Sequence, residues 1–331
     1  MRILFIGLDY HQYTRAISAQ LNALGHDVTY HDIFARTLYH KSLRLAPALQ
    51  RAAYDRYHRD IVLGERGTPY DMVLFLQCHQ VSDENLQLAR DLFPNARFVL
   101  YNWDSVRTHD YISKLRFFDT AFTFDRQDAI DFKIEYLPLF GLTKFQDAPL
   151  RPDGEGSIYF VGNIVNPDRY LAIDGFRRYC KTHAIDFECF MAVRPAVIPS
   201  LLRTARPRGV SPVPISMKRF QEMLWRSKAT FDYANHAQTG MTMRVIENLC
   251  ARRKIVTTNL HVRDQWFYSP DRIMVVQRGE YDGVAEFLRT PLDQPTKSFE
   301  EFYIQSFARF LLGDQGHPLD GSQPKLLKWN T

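Results

Sequence analysis

The chain has 331 residues, 45% of them apolar, 24% charged and 14% aromatic, with a formal net charge of +5 at pH 7. That composition excludes a disordered chain, and at about 100–200 residues per domain the length points to two domains with two apolar cores. Residues 1–150 carry 17 Lys and Arg against 18 Asp and Glu, and the remainder 25 against 19, so the charge resolves into −1 and +6. A basic second half suits an anionic ligand or surface, or is simply a solvated face. Glycine is scarce, 16 in 331, which weakens any reading built on a glycine-rich nucleotide loop. The four cysteines, Cys78, Cys180, Cys189 and Cys250, form no CxxC pair and read as structural thiols of a reduced, cytoplasmic compartment. No run approaches 18 apolar residues, so no membrane span is expected.

In chain order, residues 3–8 form a short apolar run that ends at Asp9, too short for a signal peptide and suited to a first buried strand. A helix is predicted over 15–24, closed by Gly25, then a strand over 28–33 and a mostly helical stretch over 36–64. Strands follow at 72–76, 97–101, 121–124 and 134–137, with a helix at 85–92. Between 141 and 156, Gly141, Pro149, Pro152, Gly154 and Gly156 mark a linker. A second series has strands at 158–161, 187–191, 229–233, 255–258 and 273–276. Its helices lie at 170–183, 217–225 and 243–251, with a Pro-rich region at 195–214. A last amphipathic helix covers 300–312, before a polar tail. Strands alternating with helices imply parallel pairing. Ligands in such α/β folds bind beyond the carboxyl ends of strands. That nominates Asp9-Tyr10-His11, Gln77-Cys78-His79-Gln80, Asn102-Trp103-Asp104-Ser105, Asp125, Gly162-Asn163, Asn235-His236 and Asn259.

Several chemistries lack their motifs. There is no GxGxxG after the first strand, no GxxxxGK[ST], no HExxH or Cys/His metal spacing, no GxSxG and no D-x-D acidic pair. Nicotinamide and flavin redox chemistry, P-loop hydrolysis and metal-dependent sugar transfer are disfavoured, and no metal or cofactor is expected.

The densest segment runs from Phe231 to Glu247, where a strand enters a polar loop that opens a helix. Thr242 is a natural N-cap, and a helix N-terminus is a ready anion site. Arg244 adds a cation, and Glu247, one turn on, faces the same way and is suited to accept from ribose hydroxyls. An Arg244–Glu247 pair on a capped helix explains the same spacing. Arg252-Arg253-Lys254 read as cations at the helix C-terminus. In the first half, Asp104 follows a strand, where a general base would sit, with Asp9 and His11 as rivals. Trp103 is a core residue or a stacking platform for a sugar. Asp125 and Asp128 fit an N-cap and a first helical turn.

The run Gln238-Thr239-Gly240-Met241-Thr242-Met243-Arg244-Val245-Ile246-Glu247, followed by Lys254-Ile255-Val256-Thr257-Thr258-Asn259, resembles a stretch of the bacterial capsular, exopolysaccharide and lipopolysaccharide biosynthesis proteins. These are similar to CgeB-like proteins and are GT-B-type glycosyltransferases. Trp103-Asp104-Ser105, Thr123–Asp128, Leu137–Phe140, Phe160–Asn163 and Asp168-Arg169 resemble the same family in the same order. The chain departs from it at Arg107-Thr108-His109, where members often carry Lys and Asn.

The resemblance implies a GT-B-like α/β fold, two facing Rossmann-like domains with an interdomain cleft. The expected division is an acceptor domain over 1–145, a nucleotide-sugar domain over 146–298, and a C-terminal helix and tail over 299–331 that packs back on the first domain. The expected activity is metal-independent sugar transfer from a nucleotide-sugar to a surface-polysaccharide or lipid-linked glycan. Gly162, Asn163, Arg169, Gln238, Thr239, Gly240, Thr242, Met243, Arg244, Glu247 and Asn259 are the donor-side candidates, Trp103 and Arg107 the acceptor-side ones, and Asp104, Asp9 and His11 the catalytic ones. A non-catalytic nucleotide- or glycan-binding protein and a nucleotide-sugar epimerase remain open. Arg203, Arg206 and Arg208 are candidates for peripheral contact with an anionic inner-membrane face.

Overall fold

The computed structural model describes every residue except His11, 44–45, 151–156, 235–238 and 314–331, and the side chain of Lys41. Two compact units emerge: Met1–Pro138 with the segment beginning at Ile304, and Leu139–Tyr303.

The first unit alternates β1 (Arg2–Gly7), α1 (Tyr13–Ala23), β2 (Asp27–Asp32), α2 (Leu38–Ser42), α3 (Pro47–Gly64) and β3 (Met72–Leu76). It continues through α4 (Asp83–Leu92), β4 (Arg97–Asn102), β5 (Thr120–Thr123), α5 (Arg126–Phe132) and β6 (Glu135–Tyr136). The sheet is parallel, in the order β2-β1-β3-β4-β5-β6. β1 and β3 are central and buried almost throughout, which is why their sequences are continuous apolar runs rather than alternating ones. Gly7 ends β1 where a Cβ would lie 2.7 Å from Cβ of Leu76, so its glycine serves the close approach of β1 to β3. Leu4, Ile6, Val73, Phe75, Phe98 and Leu100 meet Leu86 and Ala89 of α4 in the core. α4 starts sharply because Ser82 accepts from the Asn85 amide and acidic Asp83 and Glu84 fill its first turn. The helical stretch predicted over 36–64 is two helices, since Pro47 opens α3 and cannot continue α2.

The second unit runs α6 (Thr143–Gln146), β7 (Ser157–Ile164), α7 (Pro167–Thr182), β8 (Phe187–Val193), α8 (Ile198–Thr204) and β9 (Val210–Ser211). Then come α9 (Met217–Arg226), β10 (Ser227–Asp232), α10 (Met243–Cys250), β11 (Lys254–Thr257), β12 (Ile273–Val275) and α11 (Val284–Arg289). Its sheet is also parallel, in the order β12-β11-β10-β7-β8-β9. Phe176 of α7 stacks on Phe231 of β10 with ring centres 3.9 Å apart, and Ile158, Phe160, Val256 and Tyr281 join this core. The Pro-rich region read without elements contains α8 and β9, with proline in the first turn of α8, where the missing N–H costs nothing. Arg252, Arg253 and Lys254 each bind backbone carbonyls at helix ends. Arg252 Nη2 donates to Gln146 and Ala148, Arg253 Nη2 to Trp225, and Lys254 Nζ to Phe287 and Thr290.

The helix expected over 300–312 is a short 3₁₀ turn, Glu300–Phe302, and then α12 (Ile304–Leu312). α12 belongs to the first unit. Phe307 meets Tyr101 with ring centres 4.9 Å apart, and Arg97 Nη1 donates to the Leu312 carbonyl at 3.1 Å.

Candidate functional site

In the second unit, the carboxyl ends of β7, β10 and β11 gather most of the predicted donor residues. Thr242 caps α10, accepting from the Val245 amide at 3.3 Å. Its hydroxyl donates to Asp232 Oδ1 at 2.8 Å, and Thr257 donates to Asp232 Oδ2 at 2.7 Å. One buried carboxylate at the end of β10 thus fixes both the start of α10 and the end of β11. Met243 and Arg244 are the first two residues of that helix. Asn259 is buried rather than open to a cleft. Its amide nitrogen donates to the Gly240 carbonyl at 3.3 Å and its oxygen accepts from the His261 amide, so it shapes the loop that carries Thr239 and Gly240. Gln238, with Asn235 and His236, lies outside the described residues.

Two guanidiniums stand at this end of the sheet. Arg169 Nη1 donates to the Tyr233 carbonyl at 2.9 Å, and its guanidinium lies over the Phe160 and Tyr233 rings at 5.8 and 5.5 Å. It crosses Gly162, where a Cβ would come within 2.7 Å of the Phe160 ring and 3.3 Å of Arg169 Nη2. Asn163 beside it is exposed. Arg244 lies 4.2 Å above the Phe220 ring, donates through Nη1 to Glu247 Oε2 at 2.6 Å and through Nη2 to the Val161 carbonyl at 3.2 Å. The Nε atoms of both arginines are buried without a hydrogen-bond partner. Burial lowers the pKa of Arg169, Asp232 opposes that, and the charge of Arg244 adds to it. Two cations therefore crowd one strand end. Glu247 is 1% exposed and burial pushes its carboxyl well above the usual carboxylate range. The sequence reading set it on a ribose; in the structure it anchors Arg244 and is not presented to solvent.

In the first unit, the loops after β3 and β4 meet. Asp104 Oδ2 accepts from Gln77 Nε2 at 2.6 Å and lies 4.0 Å from His109 Nε2. His109 stacks on His79, ring centres 3.9 Å apart and planes 7° from parallel. Gln77 has φ +65°, a left-handed conformation uncommon for a residue with a Cβ, and its amide donates to the Tyr101 carbonyl. Such conformations persist where surrounding structure enforces them and cluster at functional sites. Trp103 packs among Tyr10, Tyr13 and Tyr101. Arg107 is exposed. Asp9 is held by Arg36, 2.9 Å from Oδ2, beside Asp32. His11 lies outside the described residues.

No family model and no curated protein matches the chain. Many solved structures match most of its length at low identity, among them the following three. A lipopolysaccharide outer core galactosyltransferase, WaaB, is 14% identical with a TM-score of 0.51, covering 93% of this chain and 97% of that one. A glycosyltransferase from Rickettsia africae is 12% identical with a TM-score of 0.53, covering 94% and 93%. A UDP-N-acetylglucosamine 2-epimerase candidate from Listeria monocytogenes is 9% identical with a TM-score of 0.52, covering 94% of both. The fold is GT-B-like. Each unit is a Rossmann-like domain with a six-stranded parallel sheet and flanking helices.

Some residues of this GT-B-like chain were named from the sequence without the contacts that the fold gives them. Asp128 was read as part of a first helical turn. It is buried and accepts from Ser105 Oγ, the Val106 amide and Tyr111 Oη at 3.1, 2.7 and 3.0 Å, so it holds the loop that carries Asp104. Asp125 is the N-cap of α5, as its spacing predicted, accepting from the Gln127 and Asp128 amides. Gln77 and His79 were nominated only by their place after a strand, and His109 only as a departure from the family pattern. Nothing local in the sequence pairs them, because the juxtaposition comes from β3 and β4 being neighbours.

Proposed function

We propose that the chain is a glycosyltransferase that moves a sugar from a nucleotide-sugar donor to a surface-polysaccharide or lipid-linked glycan acceptor without a metal ion. The observation that carries this reading is the Arg169–Arg244 pair at the start of α10. Two cations with buried, unpartnered Nε atoms lie where a helix N-terminus already favours an anion. A diphosphate is the ligand that answers both charges. As the sugar leaves, negative charge grows on the diphosphate, and these fixed donors stabilise it. Gly162 supports the arrangement because a side chain there would displace Arg169. The resemblance to capsular and CgeB-like proteins supports a polysaccharide acceptor, and the lipopolysaccharide galactosyltransferase of the same fold is consistent with it.

On the acceptor side we assign Asp104 ahead of Asp9. Asp104 is partly exposed and oriented by Gln77, whereas Asp9 is committed to Arg36. Trp103 is the wall of that site and Arg107 its exposed cation. Peripheral contact with an anionic membrane would use Arg203, Arg206 and Arg208, all exposed beside exposed Leu202. Among the described residues no helix is long and apolar enough to cross a membrane.

A nucleotide-sugar epimerase is the second reading, favoured by the fold match to the Listeria protein. Incubating the chain with a panel of sugar nucleotides, with and without glycan acceptors, separates the two. Transfer requires acceptor-dependent release of nucleoside diphosphate, and an epimer formed without acceptor would replace this reading with the second.

A further inference from the structure

We propose that Gly141 and Phe145 are positioning residues for Arg244, acting on it through Glu247 and Phe220. The inference rests on the donor reading above and deepens it. The chain enters the second unit at Leu139, and every residue concerned belongs to that unit. The stretch over 141–149 falls in the segment whose composition is that of a linker, yet it is fastened down along its length. The Gly141 amide donates to the Phe302 carbonyl at 2.8 Å, and Gly141 bridges Tyr303. Trp225 Nε1 donates to the Lys144 carbonyl at 3.1 Å, and Arg252 Nη2 to the carbonyls of Gln146 and Ala148.

Two routes lead from this stretch to Arg244. The first runs through α10. A Cβ on Gly141 would lie 2.6 Å from Sγ of Cys250 and 3.9 Å from Cα of Glu247, so the stretch lies directly against the last turn of the helix. Gly141 is not in the left-handed region, so its glycine serves this close approach rather than a turn. Cys250 Sγ donates to the same Phe302 carbonyl at 3.6 Å, which ties the helix end to the stretch. Glu247 is the carboxylate that holds Arg244 Nη1 at 2.6 Å. The second route runs through α9. Phe145 is fully buried and meets Phe220 edge-on, ring centres 5.4 Å apart, and Phe220 is the ring beneath the Arg244 guanidinium at 4.2 Å. A carboxylate and a ring thus fix the guanidinium, and one stretch of chain backs both.

Interiors are close-packed, so a displacement at one contact passes to the next instead of vanishing into a void. A methyl group at 141 must push either the helix turn or the stretch, and the stretch is held by the hydrogen bonds above. The helix therefore shifts and carries Glu247 with it. A smaller side chain at 145 removes the support under Phe220 and lets the ring and its guanidinium tilt.

The test uses the full chain and two readouts. Sugar-nucleotide affinity is measured by calorimetry for Gly141→Ala and Phe145→Leu, alone and each combined with Arg244→Gln. Each single variant is expected to lose roughly 3- to 30-fold in affinity. Combined with Arg244→Gln neither should add a further loss, because the group they position is gone. Cys250→Ala should restore much of the loss in Gly141→Ala by removing the sulfur nearest the new methyl group. The second readout needs no ligand. The Arg244 Nε–H signal in ¹H–¹⁵N NMR, assigned by its loss in Arg244→Gln, is expected to shift in both variants as the guanidinium moves over the Phe220 ring. Losses that add to that of Arg244→Gln, or an unshifted Arg244 signal in folded Phe145→Leu, overturn the proposal. No restoration by Cys250→Ala overturns the route through α10. Should Gly141→Ala not fold, Phe145→Leu decides. Failure of the donor reading looks different, because the wild-type chain then binds no sugar nucleotide while the Arg244 signal still judges the positioning.

Discussion

Arg244 Nη1 donates to Glu247 Oε2 at 2.6 Å, one turn along α10, and the carboxylate it meets is 1% exposed. This is not a surface ion pair, which would contribute little. Removing the guanidinium takes a charge-assisted hydrogen bond from a buried carboxyl, at a cost of about 1.5–3 kcal/mol. Arg244→Ala is therefore predicted to be destabilised by that amount in urea titrations at pH 7. Burial holds the Glu247 carboxyl above its unfolded value near 4.3, so its folding contribution is greatest below that value and is lost as pH rises. The Arg244→Ala deficit should accordingly shrink as pH falls toward 4. The double variant with Glu247→Gln should lose less than the two single changes added together, and strict additivity would contradict the pairing.

His79 predicts a pH dependence of opposite sign. Its pKa falls from 6.5 to about 4 on folding, so between these values the unfolded chain binds the extra proton. Stability from this residue is complete above pH 6.5 and is lost as pH falls toward 4. The loss is about 1–2 kcal/mol once screening at a partly exposed site is allowed for. His79→Gln should flatten that slope in chemical denaturation at pH 4 to 7. An unchanged slope would show that the ring is not held neutral.

Asp128 accepts three hydrogen bonds from the loop that carries Asp104. Asp128→Ala strands three donors, at about 1–3 kcal/mol each where burial persists. We predict a loss of about 3 kcal/mol by denaturant titration and a shift in the Trp103 fluorescence environment. Retention of both would place the loop's support elsewhere.

Gly162→Ala puts a methyl group 2.7 Å from the Phe160 ring and 3.3 Å from Arg169 Nη2. Overpacking of this kind costs about 1–3 kcal/mol. The predicted outcome is a modest drop in melting temperature together with weaker nucleotide binding, because Arg169 must move. A drop in stability alone would confine Gly162 to packing.

Much of this architecture was legible in the chain's apolar rhythm. β3 was read at its own bounds, because a strand buried on both faces is written as an unbroken apolar run. Thr242 was legible as a cap because capping is local chemistry. What escaped depends on distant partners. The Pro-rich stretch hid α8 and β9, since proline at a helix start looks the same as proline in a loop. Spacing placed Arg244 and Glu247 on one face, but burial, which withdraws Glu247 from a ligand and makes it the anchor of Arg244, comes from packing around α10. The Asp104, His109 and His79 grouping needed the β3–β4 pairing, and Asp128 needed its helix folded back to the loop before it.

The central claim is that the second unit holds a nucleotide-sugar through Arg169 and Arg244. Calorimetric titration of UDP-sugars and other sugar nucleotides into the wild-type chain, Arg169→Gln, Arg244→Gln and Asp104→Asn tests it most directly, with folding of each variant checked by circular dichroism. A charge-assisted hydrogen bond of about 1.5–3 kcal/mol predicts a loss of roughly 10- to 150-fold in affinity for each arginine variant and none for Asp104→Asn. Affinity unchanged in both arginine variants, or no binding of any sugar nucleotide by the wild-type chain, would contradict the account.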